Sequence, residues 1–425
     1  MALRHLLRTL VFTRGTVMNG VRGTLSNHNP HQGAVSCDDL PLNPQRPQKD
    51  PRAFSEFICQ SSNVQQYVRT LRLRTSLLGV GVEAEEPVDA NVLLGLFKIL
   101  PRLTTLHLED IVLSPPSLSG APLPPTLSLE HLTLGSRLGC APISASHILD
   151  TLSHFRYIGR LRLIHLWEEP QPSTSAPNLS VSHPAVETFE FERCRFLGDA
   201  IFTFLADCAA ERVTVRTTLP TDVLSAQKLN QFVTALGARL AHLEYTFRVR
   251  DMPCPMTLLF AGFDSAAHPG GGAALDLSSC TSLGTLRVAL DLAPARLASD
   301  LASTLVPTLA SLPALPRGTP PLALTLAASL GDVLAGQHLE DRTSVFAQLE
   351  DAVLELLGSG RVAGLTFEIE VARGVPDSRM AEGSETVKAL FPRLNASDDL
   401  HVIEVAKAGA PRVNAYWGGR YDAPW

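Results

Sequence analysis

A stack of strand–helix units, with every strand in one parallel sheet and the helices on its outer face, is the α/β fold that this sequence predicts. Three observations carry it. A short phrase of apolar, any residue, apolar returns along the chain, as Leu71-Arg-Leu73, Leu106-His-Leu108, Leu132-Thr-Leu134 and Leu161-Arg-Leu163. The segments between the phrases repeat apolar residues three and four apart, the pattern of a helix with one buried side. One strand and one helix cannot bury their apolar sides alone, so such units are stable only when neighbours stack into a continuous core.

The spacing sharpens the architecture. The first apolar residues of successive phrases are Leu71, Leu106, Leu132, Leu161, Phe189, Val213, Leu243, Leu286, Leu324 and Phe367, at steps of 35, 26, 29, 28, 24, 30, 43, 38 and 43 residues. The middle steps lie close to the roughly 20–29 residues of a leucine-rich repeat, and the outer ones imply insertions or longer helices. The expected fold is a leucine-rich-repeat-like solenoid with irregular repeats and a curved parallel sheet.

The elements follow in chain order. Residues 1–14 read two ways. Arg4, Arg8, Arg14 and Arg22 precede the first acidic residue, Asp38, which is the composition of a mitochondrial presequence. Leu7-Arg-Thr-Leu10-Val-Phe12 also echoes Val68-Arg-Thr-Leu71-Arg-Leu73, which makes the opening the first strand of the array or the remnant of a preceding motif. Residues 15–51, with Asn27-His-Asn-Pro30 and Pro44-Gln-Arg-Pro47, read as a flexible loop. The array is expected over residues 52–410.

Within it, Phe54-Ser-Glu-Phe57 has helical spacing and leads to a strand over Val68 to Arg74. Asp89 caps a helix with Leu93, Leu94, Phe97 and Leu100 on one face, and Pro101 ends it before a strand over Leu103 to Leu108. Ile148, Leu149, Leu152 and Phe155 precede Leu161 to Leu163; Asp199 heads Ile201, Phe202 and Leu205 before Val213 to Val215. Leu229, Phe232, Val233, Leu236 and Leu240 precede Leu243 to Phe247. Later helices are expected through Leu297 to Leu309 and Val345 to Leu357, with a last strand over Leu400 to Val405. Pro/Ser-rich excursions at 114–125 and 170–184, and Gly-rich 268–272, fit loops on the rim. The tail, residues 411–425, gathers two of the three tryptophans, Trp417 and Trp425, and is either a cap on the final repeat or a docking peptide.

Composition narrows the function classes. With 45% hydrophobic and 18% charged residues and a mean hydropathy of +0.11, most of the chain is foldable. Only 6% is aromatic, so leucine, valine and alanine must fill the core. A net charge of -6 and a pI of about 6.1 argue against a nucleic-acid partner. The apolar region from Leu301 to Gly336 is broken by Pro307, Pro313, Pro316, Arg317, Pro320 and Pro321, so no membrane span is expected. Seven dispersed cysteines without a C-x-x-C pair read as reduced, buried thiols of a cytoplasmic or nuclear protein. A mitochondrial location is the alternative if the arginine-rich opening is a presequence.

Alternation in a strand sends the residue between two core-facing apolar positions to the opposite face. The candidate partner-binding row is therefore Arg72, His107, Thr133, Arg162, Glu190, Thr214, Glu244 and Arg287, continued by Thr325 and Glu368. A protein partner on this sheet face is the functional expectation.

Nothing in the sequence argues for a reaction. Phosphate-binding loops, dinucleotide fingerprints, zincin helices and hydrolase elbows are all absent from it, and no catalytic, cofactor-binding or metal-binding residue is nominated. His28 and His31 read as a solvated polar tract, and His268-Pro-Gly-Gly-Gly272 as a turn. Arg156, Arg160 and Arg162 near Tyr157 and Trp167 are followed by Glu168 and Glu169, a solvated strand edge rather than an RNA platform.

Taken together, Arg4-His-Leu-Leu-Arg-Thr-Leu-Val-Phe12, Phe54-Ser-Glu-Phe57, Tyr67-Val-Arg-Thr-Leu-Arg-Leu73 and Leu103-Thr-Thr-Leu-His-Leu108 resemble the body of fungal F-box proteins with divergent leucine-rich repeats. The resemblance covers residues 4 to about 250, and the remainder follows only the general pattern. It implies a substrate adaptor of a cullin-RING ubiquitin ligase, holding its target on the repeats. The docking half of that role belongs to an F-box motif, which in the family ends just before a segment like residues 4–12. The ligase expectation therefore applies if an F-box precedes Met1.

Overall fold

The structure, a computed structural model, describes residues 9–15, 58–60, 65–76, 88–109, 113–114, 127–135, 145–164, 183–192, 194, 199–218, 223–247, 274–290, 301–314, 318–335, 341–372 and 374–406. Of the expected loop at 15–51 only Gly15, the end of a strand, is described, and of the rim loops only Ser114, His183 and Pro184; the rest of these, the tail at 411–425, the helix at Phe54–Phe57 and the His28, His31 and His268 segments lie outside the described residues.

Among the described residues, alternation of Leu, Val and Thr produces fourteen strands: β1 (Thr9–Gly15), β2 (Thr70–Ser76), β3 (Val88–Asp89), β4 (Thr105–Glu109), β5 (Leu113–Ser114), β6 (Leu127–Gly135), β7 (Phe155–Ile164), β8 (Ala185–Glu192), β9 (Ala209–Thr218), β10 (Leu240–Phe247), β11 (Thr285–Leu290), β12 (Leu322–Ser329), β13 (Val362–Val371) and β14 (Leu400–Ala406). Twelve form one sheet in chain order, open at β1 and β14 and so not a barrel, while β3 and β5 pair only with each other. Every neighbouring pair in the large sheet is parallel.

Parallel strands need a crossover between them, and helices supply most of these. They are α1 (Ala90–Ile99), α2 (Ala145–Ser153), α3 (Asp199–Asp207), α4 (Val223–Leu236), α5 (Val306–Ala310), α6 (Leu330–Ala335), α7 (Asp341–Gly358), α8 (Asp377–Leu390) and α9 (Pro392–Ala396), with a π-helical turn at Leu301–Leu305 leading into α5. Their starts are set locally. The Ser329 hydroxyl accepts the Asp332 N–H at 3.1 Å and donates to the Asp332 carboxylate at 2.6 Å, the reciprocal cap that opens α6. The carboxylate of buried Glu350 on α7 accepts the N–H groups of Arg393 and Leu394 at 2.7 and 2.9 Å, and so caps α9.

Residues 274–284, just ahead of β11, form non-helical backbone. Leu275, Leu277, Cys280 and Leu283 are buried, and the Leu275 and Leu277 N–H groups donate to the hydroxyls of Thr308 and Ser311 at 2.9 Å each. On the α4 side, Asn230 accepts the Asp276 N–H at 2.6 Å. The phenol of Tyr245, wholly buried, reaches Thr308, and burial raises its pKa.

Register defines the core as two ladders. The first runs Leu71, Leu106, Leu132, Leu161, Phe189, Val215, Leu243, Leu286, Leu324, Leu365 and Leu400. The second runs Leu73, Leu108, Leu134, Leu163, Phe191, Thr217, Tyr245, Val288, Leu326, Phe367 and Val402. All are buried except the half-buried Val402, and all join one cluster with the helix residues except Thr217. Burying each large apolar side chain contributes about 1.5–3 kcal/mol. The strand reading of the opening holds for residues 9–15, since Leu10 and Phe12 pair with Leu71 and Leu73, the register that the sequence echo implies.

Two phrases shift. On β9 the rung is Val215-Arg-Thr217 rather than Val213-Thr-Val215, because Val215 pairs with Phe189 and Leu243. On β13 it is Leu365-Thr-Phe367 rather than Phe367-Glu-Ile369, because Leu365 pairs with Leu324 and Leu400. With these rungs the steps from Leu106 to Leu243 become 26, 29, 28, 26 and 28, more even than the unaligned sequence gives. Later steps stay between 35 and 43, and the crossovers before β13 and β14 each hold two helices.

Candidate protein-binding face

Parallel sheets commonly carry helices on both faces, which makes their strands apolar throughout. Here burial alternates along the strands, as on β4, β11 and β13, so among the described residues one face meets the helices and the other stays open. Residues of the open face form rows by register.

The central row is Arg72, His107, Thr133, Arg162, Glu190, Arg216, Glu244, Arg287, Thr325, Thr366 and His401. Seven of the eight residues nominated from sequence, Arg72, His107, Thr133, Arg162, Glu190, Glu244 and Arg287, stand in it side by side. Thr214 does not. It pairs with Thr188 and His242 in the row below, and Arg216 holds its place. Glu368 likewise moves one row up, beside Ala327.

Neighbouring strands lie about 4.8 Å apart, so opposite charges at one register meet directly. From β7 to β11 the row alternates in sign, and its contacts are Arg162–Glu190 at 3.9 Å, Glu190–Arg216 at 3.0 Å, Arg216–Glu244 at 3.2 Å and Glu244–Arg287 at 2.8 Å. Flanking rows tie in through Arg160–Glu190 at 3.4 Å, Arg162–Glu192 at 2.6 Å and Arg72–Glu109 at 3.3 Å.

Arg287 reaches farthest. It crosses β12 to meet Glu368 at 2.8 Å and Glu370 at 3.2 Å on β13, a reach that the short side chains of Thr325 and Ala327 leave open. Ala327 is fully buried although it belongs to the open face. Burial opposes the Arg287 charge, but the Glu368 hydrogen bond, with Glu244 and Glu370, outweighs it and raises the pKa.

At the other end, burial first and then Arg72, Arg162 and His131 lower the His107 pKa to about 4, so its ring is neutral at pH 7. Thr133 beside it is 6% exposed. Sequence reasoning missed Glu109, Arg160, Glu192, Arg216 and Glu370 as members of this network. The signal available was charge at every second residue, as in Arg160-Leu-Arg162 and Glu368-Ile-Glu370.

Of the basic-aromatic patch, Arg160 and Arg162 belong to the ladder, and a hydrogen bond to Glu187 raises the Tyr157 pKa. Trp167 lies outside the described residues. Cys208 and Cys280 are buried thiols, whose pKa burial raises, to about 11 for Cys280, but Cys59 is exposed and Cys194 half-buried. Among the described residues no helix is long and apolar enough to cross a membrane, and no group of three or more His, Cys, Asp or Glu is placed to hold a metal ion. No protein-family model matches the chain, and no curated protein is significantly similar to it.

Proposed function

We propose that the protein is a non-enzymatic protein-binding scaffold, a leucine-rich-repeat-like solenoid whose open sheet face holds the partner. One observation carries the reading: the polar row of eleven aligned strands on a face that no described helix covers, behind which the same strands bury two apolar ladders. Rung spacings of 26 to 29 residues between Leu106 and Leu243 support the repeat assignment. Charged pairs held on a rigid sheet favour selective recognition over strong adhesion, since rim charges govern rate and specificity more than raw affinity.

Substrate recognition for a cullin-RING ubiquitin ligase is the form of this function that the likeness at residues 4–12, 54–73 and 103–108 suggests. Co-purification with a cullin tests that extension separately.

The scaffold reading is tested by affinity capture with Arg72→Glu, Arg162→Glu and Arg287→Glu beside helix-surface controls Lys98→Glu and Gln231→Glu. The expected result is that partners captured by the wild type are lost from the first set and kept by the second. Retention by the sheet variants with loss from the helix variants places binding on the helices.

A further inference from the structure

The ion-pair ladder of the open face is lopsided, and in opposite senses at its two hubs. On β8, Glu190 meets three guanidinium groups, those of Arg160, Arg162 and Arg216. On β11, Arg287 meets three carboxylates, those of Glu244, Glu368 and Glu370. The imbalance continues outward from each hub. Among the residues that the ion pairs join, β2–β7 carry Arg72, Arg160 and Arg162 against Glu109, with His107 and His131 in the same rows. From β8 to β14 the ion-paired residues are Glu190, Glu192, Glu244, Glu368 and Glu370 against Arg216 and Arg287. The face is therefore polar along the sheet, cationic toward β2 and anionic toward β13.

Resting on the scaffold reading, we infer that the partner presents an extended protein segment that crosses the strands with carboxylates at one end and basic groups at the other. Its acidic end lies over Arg72, Arg160 and Arg162, and its basic end over Glu244, Glu368 and Glu370. A polyanion such as a nucleic acid fits one half only, since a strand long enough to cross the sheet would meet the five glutamates. A uniformly basic segment fails over the arginines for the same reason. Nine strand steps from β2 to β13 span about 43 Å, the length of roughly 13 extended residues.

The test uses the full chain and two fluorescent peptides of one composition and zero net charge. One has five glutamates, four serines and five lysines in blocks; the other has the same residues scrambled. Fluorescence anisotropy at low salt should show the block peptide binding about tenfold or more tighter than the scrambled one, with the preference fading as salt shortens the screening length. Arg162→Gln and Glu368→Gln should each abolish the preference. Arg72→Gln, at the far end of the row with one ion pair at 3.3 Å, supplies the same readout if Arg162→Gln does not fold.

Equal binding of the two peptides, or no binding of either, overturns the polarity. Retention of the preference in the Arg72, Arg162 and Glu368 variants overturns it as well. If the polarity fails while capture still depends on the sheet face, the scaffold reading stands alone. If Lys98→Glu and Gln231→Glu abolish both block-peptide binding and capture, both readings fall.

Discussion

On the covered side of the sheet, strands β2 to β14 set leucine beside leucine at one register, broken by Phe189 and Val215 in the first ladder and by Phe191, Thr217, Tyr245, Val288, Phe367 and Val402 in the second. On the open side, the residues lying between those same rungs run Arg, His, Thr, Arg, Glu, Arg, Glu, Arg, Thr, Thr, His. The backbone and its register are shared, so the difference between the sides is one of side-chain physics alone. Apolar contact is non-directional and grows with area, so the covered side accepts any large hydrophobe that fits. Ion pairs need a stated sign at a stated position, so the open side stores pattern rather than much stability.

Truncations on the two sides should therefore differ most. Leu286→Ala, from the centre of the first ladder, is expected to cost about 2–5 kcal/mol in urea unfolding, while its outward neighbour Thr285→Ala stays within about 0.5 kcal/mol. Similar losses for the pair would erase the distinction.

A polar group on the covered side should resemble the core and not the open face. Glu350 is 2% exposed, and its replacement by Ala leaves the Arg393 and Leu394 N–H groups without their acceptor, at a cost of about 1–3 kcal/mol. A neutral effect in thermal unfolding would show that α9 does not depend on this cap.

On the open side, Arg287→Met leaves three carboxylates facing one another and should cost about 1 kcal/mol. The deficit should shrink at molar salt, where screening falls to about 3 Å. A salt-independent loss would point to packing on Ala327 instead.

His107 sharpens the contrast through pH. Its folded pKa of about 4 lies below the ordinary 6.5, so between those values the unfolded chain holds more protons. The stability this neutral ring contributes is complete above pH 6.5 and is lost as pH falls toward 4. The loss is expected to be on the order of 1 kcal/mol, given the partial exposure of the ring. His107→Gln should flatten that part of the profile; an unchanged slope would assign it to other groups.

Much of the sheet was legible because apolar-x-apolar phrases state both strand and facing in three residues. Leu71, Leu106, Leu132 and Leu161 stand where their phrases placed them, as does the echo at Leu10. β9 misled because Thr217 fills an inward place that larger, mostly apolar residues hold elsewhere, which made Val213 look like the first rung. β13 misled because Leu365, Phe367, Ile369 and Val371 offer several equivalent phrases, and only pairing with β12 selects one. The charge network was out of reach for another reason: Arg287 and Glu368 are 81 residues apart, and their contact depends on Thr325 and Ala327 being short on the strand between them. Glu350 gave no signal beyond a carboxylate within the apolar stripe of Phe346, Leu349 and Val353.

The most direct measurement of the central claim places a photo-cross-linking residue at Thr188 on the open face, or at Gln231 on the surface of α4, and compares the adducts formed in cells. A discrete adduct from position 188 that disappears in the Arg72→Glu, Arg162→Glu background, with none from 231, is the predicted result. An adduct from 231 alone, or equal adducts from both positions that survive the charge reversals, contradicts a partner held on the sheet.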